Sequence, residues 1–290
     1  MSRVALVLGS GGARGYAHIG AIAEIEARGH EVVAVAGSSM GALVGGLYAA
    51  DALDDYADWA RGLTQSQMLR LLDPKWSAGG AIAAERIFAK VGELLGERLI
   101  EDLRVPFTAV ATDLRARREV WFQRGPLLSA VRASIAIPGV ITPVVMNGRL
   151  LADGGLMNPM PIEPTASAAA DLTIAISLQG DRGARERSTP AREAAEPTWR
   201  EELVGRVRRT VGREKEPLDP LEQVRISDVV GLSMDAMQGL VARYRMAGLP
   251  PDVLVTVPVS AARTLDFHRA TAMIELGQQL TAEALDAAGH

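Results

Sequence analysis

The stretch Val32-Val33-Ala34-Val35-Ala36-Gly37-Ser38-Ser39-Met40-Gly41-Ala42-Leu43-Val44 decides the fold. Val32 to Ala36 is a short, apolar, β-branched run, which predicts a buried strand. Met40 to Ala50 carries helix-forming and small residues and predicts a helix. Between them, Gly37-Ser38-Ser39-Met40-Gly41 fits G-x-S-x-G with Ser39 in the nucleophile slot. A sharp strand-to-helix turn there lifts the serine hydroxyl clear of the backbone. The flanking glycines are needed because a Cβ would strike the neighbouring chain. The helix N-terminus beside Ser39 favours developing negative charge. Ser38 does not fit the slot, since its frame needs glycine at positions held by Ala36 and Met40. Taken alone, the pentapeptide also reads as a plain turn of small residues.

The same strand–turn–helix unit stands just upstream. Arg3 to Leu8 reads as a strand, Gly9 to Gly15 as a turn, and residues 17–28 as a helix. Repetition of this unit implies right-handed crossovers and a parallel sheet, hence an α/β fold with a mainly parallel central sheet flanked by helices. Helical patterns follow near 53–70 and 83–96. Strands are predicted at 107–112, 118–122, 172–178 and 253–257, a hairpin over 143–152 turning at Asn147-Gly148, and a last helix over 266–287. Ile226, Val229, Val230, Met234, Met237, Leu240, Val241 and Tyr244 fall at helical spacing and are expected to pack into the core.

Composition fits that class. Hydrophobic residues make up 48% of the 290-residue chain, enough for a large core, and aromatics only 4%. The net charge of −4 gives no electrostatic basis for binding nucleic acid. The chain has no cysteine, which excludes disulfides, thiol catalysis and cysteine-ligated metals. No targeting segment is read, and no apolar run approaches the ~20 residues that span a bilayer. A cytoplasmic enzyme is expected, with any membrane contact peripheral at the inner face.

Two further motifs bear chemistry. Gly9-Ser10-Gly11-Gly12-Ala13-Arg14-Gly15 lies between a strand and a helix. A dinucleotide fingerprint fails, because a frame from Gly9 puts Arg14 in the third glycine slot and a frame ending at Gly15 puts Ser10 in the first. The phosphate-binding P-loop ending is also missing. Consecutive glycines do let the N–H groups of Gly11, Gly12, Ala13 and Arg14 converge on one oxygen, as an oxyanion hole requires. Leu151-Ala152-Asp153-Gly154-Gly155 delivers an aspartate to the end of an apolar strand and then turns the chain. Asp153 is the candidate base for Ser39.

A serine nucleophile more often works through a histidine. The chain has four, His18, His30, His268 and His290. His18 follows the glycine turn and reads as structural or pocket-lining. His268 has the chain position of a Ser–Asp–His order but opens a helix without a loop of its own. A Ser39–Asp153 dyad accounts for the same residues with fewer parts.

The three motifs, in this order and spacing, resemble the patatin-like phospholipase family, closest to bacterial members related to neuropathy target esterase. The resemblance covers residues 3 to about 178 and implies a three-layer patatin-like fold and a serine–aspartate dyad without histidine. It implies that Gly11, Gly12, Ala13 and Arg14 supply the oxyanion segment. By the same likeness, Gly37, Ser38, Met40 and Gly41 frame the nucleophile Ser39, while Gly154 and Gly155 follow the base Asp153. Ser134-Ile135-Ala136-Ile137-Pro138-Gly139 resembles a further segment found before the aspartate. Ser10 departs from the pattern, where many members have glycine.

The expected activity is two-step hydrolysis of fatty-acyl esters of phospholipids or lysophospholipids, with no cofactor and no metal. A general carboxylesterase, thioesterase or acyltransferase with the same dyad, and a non-catalytic phosphate- or nucleotide-binding regulator, are the alternatives. The expected partner is a lipid or acyl-ester substrate; the sequence gives no oligomeric state. The chain is expected to divide into a core over 1–180, a charged excursion or cap over 181–220, and a helical completion over 221–290. Within the excursion, Trp199, Leu203, Val207 and Val211 share an arc with Arg206, Arg208, Arg209 and Arg213 outside it. Residues 198–213 thus suit an amphipathic helix that either caps the body or forms a lid touching anionic membranes.

Overall fold

Each strand predicted in the first half forms, and all lie in one sheet. The computed structural model describes residues 1–64, 67, 85–181 and 226–290. The strands are β1 Arg3–Leu8, β2 Glu31–Ser38, β3 Phe107–Asp113, β4 Arg118–Phe122, β5 Val144–Met146, β6 Arg149–Asp153, β7 Leu172–Gly180 and β8 Val253–Pro258. The helices are α1 Ala17–Ala27, α2 Met40–Ala49, α3 Leu53–Arg61, α4 Glu85–Leu95, α5 Leu127–Ser134, α6 Ile226–Gly248 and α7 Ala270–Ala288. The order across the sheet is β5-β6-β3-β2-β1-β7-β8, with β4 also paired to β3. β3, β2, β1, β7 and β8 run parallel; β4, β6 and β5 join antiparallel on the β3 side.

The central strands are buried on both faces, as a parallel sheet covered by helices demands: β1 is buried from Val4 to Leu8 and all of β3 is buried. The hairpin turns where expected, with Asn147 at φ 51° and Gly148 at φ 73°, the pair of positive angles a two-residue turn of this hand needs. α5 has no counterpart in the sequence expectations. Its signal is Pro126 just before an i, i+4 pair, Leu127 and Val131, both buried. The last helix starts later than expected, at Ala270, after a single 3-10 turn over Phe267–Arg269.

α6 forms as expected but faces the other way. Met237, Leu240 and Tyr244 are 61%, 47% and 73% exposed rather than core, and Val229 is exposed as well. Polar pairing sets the orientation. Asp235 binds Arg14, Gln238 accepts from Ser10, and Arg245 binds Glu119 and Glu163, so these residues and Ala242 face inward. Desolvating those charged groups without partners would cost more than exposing three apolar side chains.

The chain divides into two compact units, residues 1–181 with 234–290, and residues 182–233. Of the second, only the first residues of α6 are described. The charged excursion and the 198–213 helix lie outside the described residues, as does the predicted helix beyond residue 67. No helix among the described residues is long and apolar enough to cross a membrane.

Candidate active site

Sheet register brings the three motifs together. Leu8 of β1 pairs with Gly37 of β2, Ser38 of β2 with Val110 of β3, and Ala111 of β3 with Asp153 of β6. The glycine turn, the serine and the aspartate therefore leave neighbouring strands along one row.

Ser39 sits at φ 56°, ψ −124°, a left-handed backbone that a serine rarely adopts. The elbow is held by contact. A Cβ on Gly37 would lie 2.3 Å from the Gly41 carbonyl, and one on Gly41 would lie 2.0 Å from the Leu8 oxygen. Neither position tolerates any residue larger than glycine.

Ser39 Oγ donates to Asp153 Oδ2 at 2.5 Å, and the Gly155 N–H donates to Asp153 Oδ1 at 2.7 Å. Both carboxylate oxygens are thus taken, and no histidine stands between serine and aspartate. Ser39 is 3% and Asp153 2% exposed. Burial pushes the Asp153 carboxyl up to about 6, against the opposing pull of the Ser39 and Gly155 hydrogen bonds. A carboxylate whose proton affinity burial raises, and which already accepts a hydrogen bond from the serine hydroxyl, is equipped for general-base chemistry.

The histidines lie elsewhere. His18 is buried, bonded through Nε2 to the Gly9 carbonyl at 2.8 Å, and burial pushes it down to about 4. It braces the glycine turn as a neutral ring. His268 lies in the 3-10 turn before α7, half-buried and without a hydrogen bond to Ser39 or Asp153.

The glycine turn packs on the elbow: a Cβ at Gly15 would lie 2.3 Å from Met40 Cβ. Its N–H groups do not all remain available. Gly9 donates to Ile176 O, Ser10 to Pro159 O, and Ala13 to Thr264 O at 2.9 Å. The expectation that Ala13 offers an oxyanion donor is therefore corrected, because the loop after β8 already occupies its N–H. Gly12, Ala13 and Arg14 all lie within the 3-10 turn Gly12–Tyr16, with Gly11 at its N-cap. The Arg14 side chain is buried, bonded to the carbonyls of Val259 and Ala262 and to Asp235 at 3.0 Å. It fixes the turn and is not disposed to meet a head group. Ser10, the departure from the family pattern, donates to Gln238 of α6 at 3.0 Å.

A cavity of about 50 Å³ opens beside Ser39 and Gly12. Of twelve aromatic residues in the chain, four each of Trp, Tyr and Phe, five line it: Tyr16, Tyr56, Trp59, Phe88 and Phe267. Four of them form a ladder with ring centroids 5.6 to 6.2 Å apart, Phe267 on Tyr16, Tyr16 on Tyr56, and Tyr56 on Trp59. Composition alone had not marked these rings as functional; their clustering is visible only in the fold. Among the described residues no group of three or more acidic or histidine side chains is disposed to hold a metal ion.

A doubly flanked sheet with a serine elbow, an adjoining glycine turn and a strand-end aspartate defines a class of acyl-transfer proteins, and the family model for patatin-like phospholipases matches residues 6–166. The chain belongs to the patatin-like phospholipase family and, as a member, is a lipid hydrolase. An uncharacterized NTE family protein of Mycobacterium tuberculosis is 44% identical, with 98% of this chain and 92% of that protein covered. Patatin-like phospholipase domain-containing protein 6 of Homo sapiens is 33% identical, over 60% of this chain and 13% of that protein. VipD from Legionella pneumophila superposes with a TM-score of 0.47 at 14% identity, covering 98% of this chain and 66% of that one.

Proposed function

We propose that the chain hydrolyses fatty-acyl ester bonds of phospholipids or lysophospholipids through a Ser39–Asp153 dyad. The observation that carries this reading is the 2.5 Å bond from Ser39 Oγ to a buried Asp153 at the mouth of an apolar cavity. Asp153 Oδ2 takes the hydroxyl proton as Ser39 Oγ bonds to the acyl carbonyl carbon. The carbonyl oxygen becomes an oxyanion facing the N–H groups of Gly11 and Gly12. Collapse breaks the ester C–O bond, and Asp153 returns the proton to the departing alcohol. Water then attacks the acyl-serine, Asp153 accepting its proton and passing it to Ser39 as the fatty acid leaves. The cavity takes the first carbons of the acyl chain.

A fluorophosphonate probe together with an ester panel tests this. Wild type should be labelled at Ser39 and should release fatty acid from phospholipid or lysophospholipid vesicles. Ser39→Ala should do neither, while His268→Ala keeps most of its turnover. Labelling without phospholipid turnover would leave a general carboxylesterase, thioesterase or acyltransferase with the same dyad. Absence of labelling would leave the phosphate- or nucleotide-binding alternative. Residues 198–213 remain part of this reading as a membrane contact. Salt-sensitive flotation with anionic vesicles, lost in a Trp199→Ala, Arg208→Glu, Arg209→Glu variant, is the expected result.

A further inference from the structure

The segment Ser134-Ile135-Ala136-Ile137-Pro138-Gly139 has no part in the chemistry above, yet its first residue touches the nucleophile's backbone. Ser134 ends α5 and is fully buried. Its Oγ–H donates to the Val110 carbonyl at 2.5 Å, and its Oγ accepts the Ser39 N–H at 2.9 Å. A hydroxyl has one proton, so with that proton on Val110 O the oxygen is left to act only as acceptor toward Ser39. The backbone it grips is the φ 56° elbow, a conformation that persists only where its surroundings over-determine it.

Val110 is on β3, the strand that also sets Asp153. Ala111, the next residue, pairs with Asp153 across the β3–β6 ladder, and Thr112 Oγ1 donates to the Asp153 carbonyl at 2.9 Å. A closed circuit results, from Ser39 N–H through Ser134 to β3, along β3 to Asp153, and back through the carboxylate to Ser39 Oγ. We infer that Ser134 is a positioning residue, whose hydroxyl ties the strained Ser39 backbone to the strand that carries Asp153. It holds the serine oxygen within reach of the base. The inference rests on the reading of Ser39 as nucleophile and adds the side chain that aims it.

The test compares wild type, Ser134→Ala and Ser134→Thr. Each is measured for its rate of phosphonylation by a fluorophosphonate, with loss of fluoride, for kcat and KM on a soluble short-chain ester, and for the acid limb of kcat. In Ser134→Ala, kcat and the phosphonylation rate should fall together by about 10- to 100-fold, with KM within about twofold, as expected for loss of alignment without loss of binding. The acid limb should move to higher pH, because a Ser39 hydroxyl drawn off Asp153 no longer lowers that carboxyl's pKa. Ser134→Thr keeps the hydroxyl and should recover most of the rate. A serine of purely structural value would reduce the folded fraction and leave both the rate per folded molecule and the acid limb alone; that result overturns the inference. Should Ser134→Ala fail to fold, Ser134→Cys carries the same measurement, since a thiol fills the space but bonds weakly. A wild-type rate in that variant likewise overturns it. Failure of wild type to label at Ser39 would instead remove the nucleophile reading beneath.

Discussion

Replacing Asp153 by Asn should abolish turnover and, at alkaline pH, make the protein more stable. Burial raises the Asp153 carboxyl from its ordinary 3.8 to about 6. The folded chain therefore holds this proton more tightly than the unfolded chain does. The sign follows from linkage. The stabilisation from protonated Asp153 is complete below the unfolded value, near 3.8, and is lost as pH rises through about 6. Above that, the native state carries a buried charge at a cost of about 3 kcal/mol, taking about 1.4 kcal/mol for each tenfold change in proton affinity. Asn is isosteric and uncharged. Its Oδ1 can still accept the Gly155 N–H, and its amide can donate to a Ser39 hydroxyl whose own proton has turned away. Urea unfolding between pH 4.5 and 8.5 reads the difference. The variant's advantage should be about 1 kcal/mol at the acid end, where the unfolded carboxyl is already mostly ionised, and approach about 3 kcal/mol at the alkaline end, roughly 5 °C in Tm for a chain of this size. Turnover should fall by at least about 10²-fold, the usual value of a general base, and wild-type kcat/KM should lose activity below about pH 6. A stability difference that is flat across pH, or an Asn variant less stable than wild type at pH 8.5, would refute the account of a base raised by desolvation.

What could be read from the sequence is what neighbours in the chain decide. The elbow Gly37–Gly41, the Asn147-Gly148 turn and the Asp153-Gly154-Gly155 turn each declare themselves within a few residues, through glycine and the strand before them. That the first glycine turn lies beside the serine elbow was also legible, because strand–turn–helix repetition implies parallel neighbours, whereas Asp153 arrives on the antiparallel β6. What escaped depends on partners far off in sequence. The Ser39 N–H finds Ser134 95 residues away, and Ser10 finds Gln238 228 residues away. No local pattern states that the Ala13 N–H goes to Thr264 O. Nor does any local pattern state that two carbonyls and Asp235, all more than two hundred residues away, enclose the Arg14 side chain. α6 shows the limit most plainly. Its apolar spacing pointed the helix inward on the face of Met237, Leu240 and Tyr244, and the helix points inward on Asp235, Gln238 and Arg245. Periodicity ranks faces by hydrophobicity and is blind to a polar face whose partners await it.

Gly12 stands at φ 58°, and a Cβ there would lie 2.5 Å from the Thr264 oxygen. Gly12→Val should therefore fail first in folding, with little soluble protein or a Tm depressed by many degrees, before any effect on the oxyanion donors can be measured; normal yield and Tm would mean that the turn is not packed against the 259–267 loop. Trp59 tests the acyl cavity. At about 10–15 Å³ for each water-sized group, the 50 Å³ cavity has room for about four, so wild type should favour soluble esters of about four to six carbons. Trp59 ends the aromatic ladder, its ring centroid 5.6 Å from that of Tyr56, and Trp59→Ala removes that end rung while leaving Tyr16, Tyr56 and Phe267 in the cavity lining. Each methylene that the lengthened cavity accepts is worth about 0.8 kcal/mol, or about fourfold in kcat/KM. A p-nitrophenyl ester series should thus show the optimum moving to longer acyl chains by several carbons, with the shortest esters little affected. Equal losses at every chain length would mean that Trp59 supports the fold without measuring the substrate, and that the acyl chain leaves Ser39 by another path.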